Sequence, residues 1–297
     1  MAESAPILHI ITPLNHASPF DVNMAVDAGY TVITPYSRVA LEEVRDLTQD
    51  MMFSRPPQAA PRTGLFIGGK DAALALDMAA EAKAAIFPPF EISIFPDPAG
   101  SFTTAAAMIA KVEQALLKVR PDGLKGAKVQ IYGATGVVGS IAAVIAAEAG
   151  AKVTLVSHRE IELVEAKAAD FKRRFGVDLA CAAAVTDPEK AKLVPAAEVI
   201  LATGKAGVEI LTPAHLQAAE QLLVAADVNA VPPAGIAGIG AHDAAAVLPH
   251  GVGIGALAIG NLKYAVQHEI LKKMRVTTEP LFVDLKMVFE LARTLKA

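Results

Sequence analysis

The amino-acid sequence predicts an α/β fold made of two α/β domains, the second a doubly wound parallel sheet. Three observations carry that expectation. Apolar, β-branched runs alternate with Ala-rich helical stretches along the chain, the pattern of parallel strands joined by crossover helices. The run Lys128-Val-Gln-Ile-Tyr132 leads straight into Gly133-Ala-Thr-Gly136-Val-Val-Gly139 and a further helical stretch. The polar stretch Arg120–Gly126, rich in turn formers, separates one set of elements from the next.

Ile7–Ile11 reads as a buried strand that ends in the polar loop Thr12–Asp21. Ser18 before Pro19 suits an N-cap followed by Pro in the first helical turn, and Gly29 ends that helix. Tyr30–Ile33 reads as a second strand and Ser37–Met51 as an amphipathic helix. Gly64–Ile67 is a third strand, followed by Gly68-Gly69-Lys70-Asp71 and a helix to about Ile86. That double-Gly turn has two readings, an anion site or a closed turn. Phe90–Phe95 is a fourth strand, and the loop Pro96–Thr104 gathers polar groups at its C-terminal edge, where ligands of parallel sheets lie. Ser101 or Thr103 would cap the helix that follows, so capping and ligand binding are both open to these residues.

Beyond the boundary, strands are expected at 128–132, 152–156, 178–183, 198–202, 222–225 and 252–257. Gly260-Asn-Leu-Lys263 then opens a helix to Met274, and an amphipathic helix spans Pro280–Leu295. The expected first domain is residues 1–120 joined by 276–297, with the C-terminal helix returning to it; the expected second is 121–275.

Composition narrows the class. The 297 residues are 53% hydrophobic with no Trp, and the formal net charge is −4 without a Lys/Arg block, which argues against a nucleic-acid surface. The single cysteine, Cys181, excludes an intramolecular disulfide framework, and no HxxxH or CxxC spacing suggests a metal. No basic stretch precedes an apolar core at the N-terminus, and apolar runs break before membrane-spanning length. A soluble cytoplasmic protein is expected, with no membrane partner.

The glycine turn carries the first chemical expectation. After a strand and before a helix, Gly133 permits a tight turn, Gly136 lets the backbone approach a pyrophosphate, and Gly139 lets the helix pack on the sheet. The helix N-terminus adds N–H groups and positive dipole density. The spacing is GxxGxxG rather than GxGxxG, so an ordinary Gly-rich turn is the competing reading of this Rossmann-type pattern. About twenty residues on, Val156-Ser157-His158-Arg159 lacks the acid that holds a ribose 2′-OH in NAD-preferring sites. Ser157 can hydrogen-bond a 2′-phosphate and Arg159 can pair with it, which reads as NADP-competent with NAD also open. Arg159 as a surface residue is the alternative.

A Tyr-x-x-x-Lys pair is missing, since Tyr132 is followed at that spacing by Gly136 and Tyr264 by His268. Oxidation that moves a hydride without a proton fits, as at a carbon between two nitrogens. Such a site needs orientation and a carboxylate or dipole near the developing positive charge. Asp21, Asp97 and Asp227 are loop acids available for that purpose.

Four stretches together, Asp97-Pro-Ala-Gly-Ser-Phe-Thr-Thr-Ala-Ala-Ala107, Gly133–Gly139, Ala226-Asp-Val-Asn-Ala-Val-Pro-Pro233 and Gly253-Ile-Gly-Ala-Leu-Ala-Ile-Gly-Asn-Leu-Lys263, resemble the NAD(P)-dependent methylene-tetrahydromethanopterin dehydrogenases of methylotrophic bacteria. The resemblance spans nearly the whole chain. It implies oxidation of methylene- to methenyl-tetrahydromethanopterin with reduction of NAD or NADP, a step of formaldehyde oxidation, and a small-molecule pterin bound in a cleft between two α/β domains. Ser157–Glu160 and the length resemble the branch that uses both nucleotides and only the methanopterin substrate. Carried over by position, Gly133, Thr135, Gly136, Val137, Val138 and Gly139 would hold the pyrophosphate. Ser157, His158 and Arg159 would surround the adenosine ribose, with Thr203 and Gly204 near the nicotinamide ribose. Asp21, Ser101, Thr103 and Asn229 would contact substrate, and Asp97 and Lys263 would act by positioning or electrostatics. Lys263 as a surface lysine at a helix start is the other reading. A homo-oligomer is expected.

Two alternatives stand beside this. One is an NADP-dependent methylene-tetrahydrofolate dehydrogenase, whose bifunctional forms carry a cyclohydrolase Tyr-x-x-x-Lys; Tyr30 and Tyr36 are followed at that spacing by Thr34 and Ala40, which disfavours cyclohydrolase chemistry. The other is a non-catalytic dinucleotide-sensing protein, which would need only the nucleotide site and not polar loops at several strand ends.

Overall fold

A computed structural model describes residues 4–295 of the chain. In chain order the elements are β1 (Ile7–Thr12), α1 (Pro19–Asp27), β2 (Val32–Ser37), α2 (Val44–Phe53), β3 (Thr63–Ile67), α3 (Ala72–Ala85), β4 (Ser93–Pro96) and α4 (Ser101–Leu116). There follow β5 (Lys128–Tyr132), α5 (Val137–Glu148), β6 (Lys152–Ser157), α6 (Glu162–Phe175), β7 (Ala180–Ala183), α7 (Asp187–Leu193) and β8 (Val199–Ala202). The chain ends with α8 (Pro213–Ala218), β9 (Val224–Asp227), β10 (Ala246–Val247), β11 (Val252–Ile254), α9 (Ala256–Val276) and α10 (Leu285–Thr294). It divides into two compact units, Met1–Thr103 with Tyr264–Val288, and Thr104–Lys263 with Phe289–Ala297.

The first unit is a four-stranded sheet of order β2-β1-β3-β4, with every pair parallel. All five residues of β3 are buried, as expected of an apolar run covered on both faces. β2 lies at the edge, where Pro35 is tolerated because no neighbour needs its N–H. This strand begins later than Tyr30 and reaches Ser37, because residues 34–37 pair in parallel register with His9–Thr12. Leu65, Ile67, Met78 and Val44 share one core cluster, and Phe66 meets Phe95 edge-on at 5.3 Å between ring centroids.

The expected helix from Pro280 is corrected: α10 starts at Leu285, and the residues before it are extended along β4. Ile94 N–H donates to the Leu281 carbonyl and Val283 N–H to the Ile94 carbonyl, at 2.8 and 2.9 Å. The tail therefore returns to the first unit through a strand-like contact. Further on, Arg293 of α10 pairs with Glu113 at 2.6 Å in the second unit.

The second unit holds a seven-stranded sheet of order β10-β11-β9-β8-β5-β6-β7. Numbered within this unit, the six parallel strands run 3-2-1-4-5-6, the doubly wound dinucleotide order, with the reversal between β5 and β8. β10 adds a short antiparallel edge that the sequence reading did not contain. The turn-rich stretch Arg120–Gly126 lies inside this unit: Arg120 bonds Glu198 Oε1 at 2.9 Å and the Lys125 carbonyl at 2.6 Å. The helix expected to start at Gly260–Lys263 begins at Ala256 instead. Gly260 lies within it at a position where no close packing requires glycine, since a Cβ there would meet nothing within 4 Å.

Candidate functional site

The switch point of the second sheet is built by glycine. β5 ends at Tyr132, and Gly133 turns with φ +82 against the end of β8. A Cβ on Gly133 would sit 2.5 Å from Gly204 N and 2.6 Å from the Thr203 carbonyl carbon, so only glycine fits. A Cβ on Gly139 would overlap Thr203 Oγ1 and lie 2.7 Å from the Gly133 carbonyl. The third glycine thus serves a close approach of α5 to the β8 loop. Gly136 is the N-cap of α5, with φ −73 and no side chain to offer. The first-turn N–H groups of Val137, Val138 and Gly139 have no intrahelical acceptor. Thr135 and Gly136 are exposed at their mouth. The arrangement fits a pyrophosphate: open donors, positive dipole density, and a backbone stripped of Cβ atoms.

Beside this turn lies a cavity of about 260 Å³. Tyr132, Gly133, Val156, His158, Ala184, Lys190, Gly204, Lys205, Val208 and Ile210 line it. Its apolar walls suit a flat heteroaromatic ring. Of the expected nucleotide residues, Gly133, His158 and Gly204 line it, and Thr203 stands directly behind. Thr203 is tied by its N–H (2.8 Å) and Oγ1 (2.9 Å) to the Tyr132 carbonyl. Ser157 is buried; its hydroxyl donates to the Glu160 carbonyl at 2.8 Å and accepts from Arg159 N at 3.2 Å. It shapes the turn after β6, so its proton is not directed at a phosphate. Arg159 is exposed and does not line the cavity. Lys190 and Lys205 do line it; the first sits on a short helix and the second in a Gly-flanked loop, places that no motif marks.

Asn229, expected on the substrate, is a staple. Its Oδ1 accepts from Gly207 N (3.2 Å) and Val231 N (2.9 Å), and its Nδ2 donates to the Pro233 carbonyl (2.8 Å). Asp227 accepts from Asn229 N and Ile236 N at 2.9 and 3.0 Å. Burial raises its carboxyl pKa, against the lowering effect of N–H donors from Asn229, Ile236 and Gly235. Both residues fix the loop after β9.

In the first unit a cavity of about 240 Å³ opens at the C-terminal ends of β1 and β3. Thr12, His16, Ser18, Asp21, Lys70 and Ala99 are among its lining residues. Asp21 is buried in the first turn of α1, and Gln267 Nε2 donates to its Oδ1 at 3.4 Å. Asp97 does not line the cavity and is 0% exposed. Its Oδ1 accepts from Phe102 N (2.9 Å) and Thr103 N (3.2 Å), and Thr103 Oγ1 donates to its Oδ2 at 2.7 Å. The cap of α4 is therefore Asp97, not Ser101 or Thr103, and both are buried beneath it. Ala99 adopts φ +53, a left-handed conformation costly for a residue with Cβ. At the double-Gly turn, Asp71 caps α3 by accepting from Leu74 N at 3.1 Å, which favours the closed-turn reading.

Lys263 lies in the second turn of α9 and is 8% exposed, which removes the surface-lysine reading. The sequence-based site therefore separates into groups at cavities (Asp21, His158, the glycine turn), a buried cation (Lys263), groups spent on architecture (Asp97, Thr103, Ser157, Asn229), and Ser101, whose buried Oγ has no hydrogen-bond partner among the described residues.

Comparisons with known proteins place the chain among relatives. Residues 19–99 match the family model described as methylene-tetrahydromethanopterin dehydrogenase, N-terminal. The chain is similar to the NAD(P)-dependent methylenetetrahydromethanopterin dehydrogenase of Methylorubrum extorquens, with 51% identity over 96% of this chain and 97% of that protein. It is also similar to the Bifunctional protein MdtA of the same organism, at 32% identity over 93% and 94% of the two chains. Among solved structures, shikimate 5-dehydrogenase from Listeria monocytogenes aligns with a TM-score of 0.54 at 13% identity, covering 98% of this chain and 97% of that one. Ornithine carbamoyltransferase from Pyrococcus furiosus aligns with a TM-score of 0.52 at 10% identity, covering 92% and 86%. A dehydrogenase and a carbamoyltransferase share the architecture, so the likeness speaks to fold alone.

Proposed function

This chain belongs to the NAD(P)-dependent methylenetetrahydromethanopterin dehydrogenases, and from that premise we propose which of its residues carry the reaction. It is an oxidoreductase that converts 5,10-methylene- to 5,10-methenyl-tetrahydromethanopterin by direct hydride transfer. NAD⁺ or NADP⁺, when bound, supplies the hydride acceptor. One C–H bond of the methylene carbon breaks with both its electrons, and the two flanking nitrogens share the positive charge left behind. No proton moves, which matches the missing Tyr-x-x-x-Lys pair.

The protein's share of the work is orientation and electrostatics. Val137, Val138 and Gly139 N–H groups hold the pyrophosphate, with Thr135 and Gly136 at the mouth of the turn. The cavity lined by His158, Gly204 and Ile210 takes the adenine, with Arg159 nearby and Thr203 fixing the strand end behind it. Asp21 lies at the first unit's cavity as a buried carboxylate, the group a developing amidinium needs nearby. Lys263, held in a buried position, donates to an acceptor of the pterin. Asp97, Thr103 and Asn229 act indirectly, by setting the loops that carry these groups, and the unpartnered hydroxyl of Ser101 stays available to the substrate.

The observation that supports the nucleotide assignment most is the start of α5, where Gly136 is the N-cap and no side chain caps the first N–H groups. The test follows NAD(P)H absorbance with methylene-tetrahydromethanopterin, giving NAD⁺ and NADP⁺ separately, and repeats both with methylene-tetrahydrofolate. Reduction of both nucleotides with the methanopterin substrate alone is expected. Turnover of the folate with NADP⁺ only would replace this reading with the folate alternative. Binding of nucleotide without turnover of either pterin would support the sensing protein.

The same reading makes the enzyme a cytoplasmic homo-oligomer without nucleic-acid or membrane partners. Among the described residues no helix is long and apolar enough to cross a membrane. Light scattering of the purified protein tests the assembly, and a monomer at micromolar concentration would reject it.

A further inference from the structure

The nucleotide cavity has an electrostatic asymmetry that the family assignment does not explain. Among the described residues, none of its lining side chains is a carboxylate, while two are lysines and one a histidine. Such a lining favours anions, and the 2′-phosphate of NADP⁺ adds negative charge that NAD⁺ lacks. Most of the other cationic or hydroxyl groups nearby are engaged or turned away. Ser157 gives its proton to the Glu160 carbonyl. Lys190 donates to the Ile210 carbonyl at 2.9 Å and reaches Asp187 Oδ1 at 3.4 Å, with only 15% of its side chain exposed. Lys205 differs. It is exposed, and its ammonium has no hydrogen bond or ion pair with any described residue.

The loop that carries Lys205 is held at both ends. Thr203 is tied twice to the Tyr132 carbonyl, and Gly207 N–H donates to Asn229 Oδ1. Between them Gly204 packs so tightly that a Cβ would come 2.7 Å from Ile210 Cδ1. A lysine on a pinned loop loses little backbone entropy when it pairs with an anion. It also shares the cavity with His158, at the end of β6, where the adenosine ribose of a doubly wound fold presents its 2′ position.

We propose that Lys205 is the residue that reads the 2′-phosphate and so sets the affinity for NADP⁺ relative to NAD⁺. This rests on the reading that the nucleotide lies along the Gly133–Gly139 turn. Asn229 then acts as a positioning residue, holding the loop from behind.

Equilibrium binding to the intact protein tests it, with titration calorimetry of NAD⁺, NADP⁺, AMP and adenosine 2′,5′-bisphosphate. Circular dichroism checks that each variant is folded. Lys205→Ala is expected to weaken NADP⁺ and the bisphosphate roughly ten- to a hundredfold, the size of one charge-assisted hydrogen bond. NAD⁺ and AMP should change less than about twofold, and Lys205→Arg should keep most of the NADP⁺ affinity. Equal weakening of all four ligands would move Lys205 to the pyrophosphate and overturn the proposal. So would loss of the selectivity in Arg159→Ala with Lys205→Ala unaffected. If the unmodified protein bound none of the four, the fault would lie in the nucleotide assignment rather than in Lys205.

Discussion

Two strand-to-helix turns in this chain are built on glycines at the C-terminal edge of a parallel sheet, and they end in opposite ways. After β3, Gly68-Gly69-Lys70 leads to Asp71, whose carboxylate accepts from Leu74 N and occupies the start of α3. After β5, the chain reaches α5 through Gly136, which brings no side chain to the helix start. The same contrast separates β5 from β4, where buried Asp97 accepts the first N–H groups of α4. Glycine density alone therefore does not make a phosphate site. What distinguishes the Gly133–Gly139 turn is that its helix N-terminus keeps its donors available, while its glycines admit the β8 loop at backbone distance.

The comparison can be broken or sharpened by exchanging these features. Gly133→Ala combines a positive φ with a Cβ driven into the backbone of Thr203 and Gly204. It should cost about 4 kcal/mol in urea unfolding, from left-handed strain plus overpacking, and abolish nucleotide binding. Gly69→Ala, at φ +132 but no nearer than 3.4 Å to Pro13, should cost far less and leave binding intact. Asp97→Ala strands two buried N–H groups and leaves the Thr103 hydroxyl only its 3.2 Å bond to the Gly100 carbonyl, for a loss of about 3 kcal/mol. Turnover per folded molecule that persisted in this variant would establish Asp97 as architecture; selective loss of turnover with unchanged stability would return it to the chemistry.

The third exchange writes the closed turn into the open one. Gly136→Asp places a carboxylate at the N-cap of α5, where φ −73 and ψ 164 suit any residue and the new Cβ would lie 3.2 Å from the Gly133 carbonyl oxygen, a contact that a small shift relieves. Folding stability should stay within about 1 kcal/mol, while nucleotide affinity falls roughly a hundredfold as like charges meet. Unchanged affinity would mean that the phosphates do not lie at this helix. The converse, Asp71→Ala, should cost about 1 kcal/mol of stability and leave nucleotide binding untouched, as thermal unfolding and calorimetry would register.

Much of the site was legible in the sequence where function depends on local backbone. β5 and the glycine turn stand where the residues place them, because turn conformation and strand propensity are set by neighbours in the chain. Asp21 also emerged, as an acid after a strand and at a helix start. The polar residues of the loops were less legible. Ser157, Thr103 and Asn229 carry groups that can bind a ligand or the backbone, and their composition does not say which.

The sequence by itself determined the two-part α/β architecture, the parallel crossovers and the position of the Gly133–Gly139 turn, since each follows from periodicity and glycine placement over short stretches. Tertiary structure decided the partners. Asn229 meets Gly207 across 22 residues of chain, and Thr203 meets Tyr132 across 71. Lys263 is buried because α9 starts earlier than its glycines suggest, and Lys205 reaches the cavity because the β8 loop is pinned from two sides. Pairings at such separations depend on which strands become neighbours in the sheet, and no local pattern encodes them.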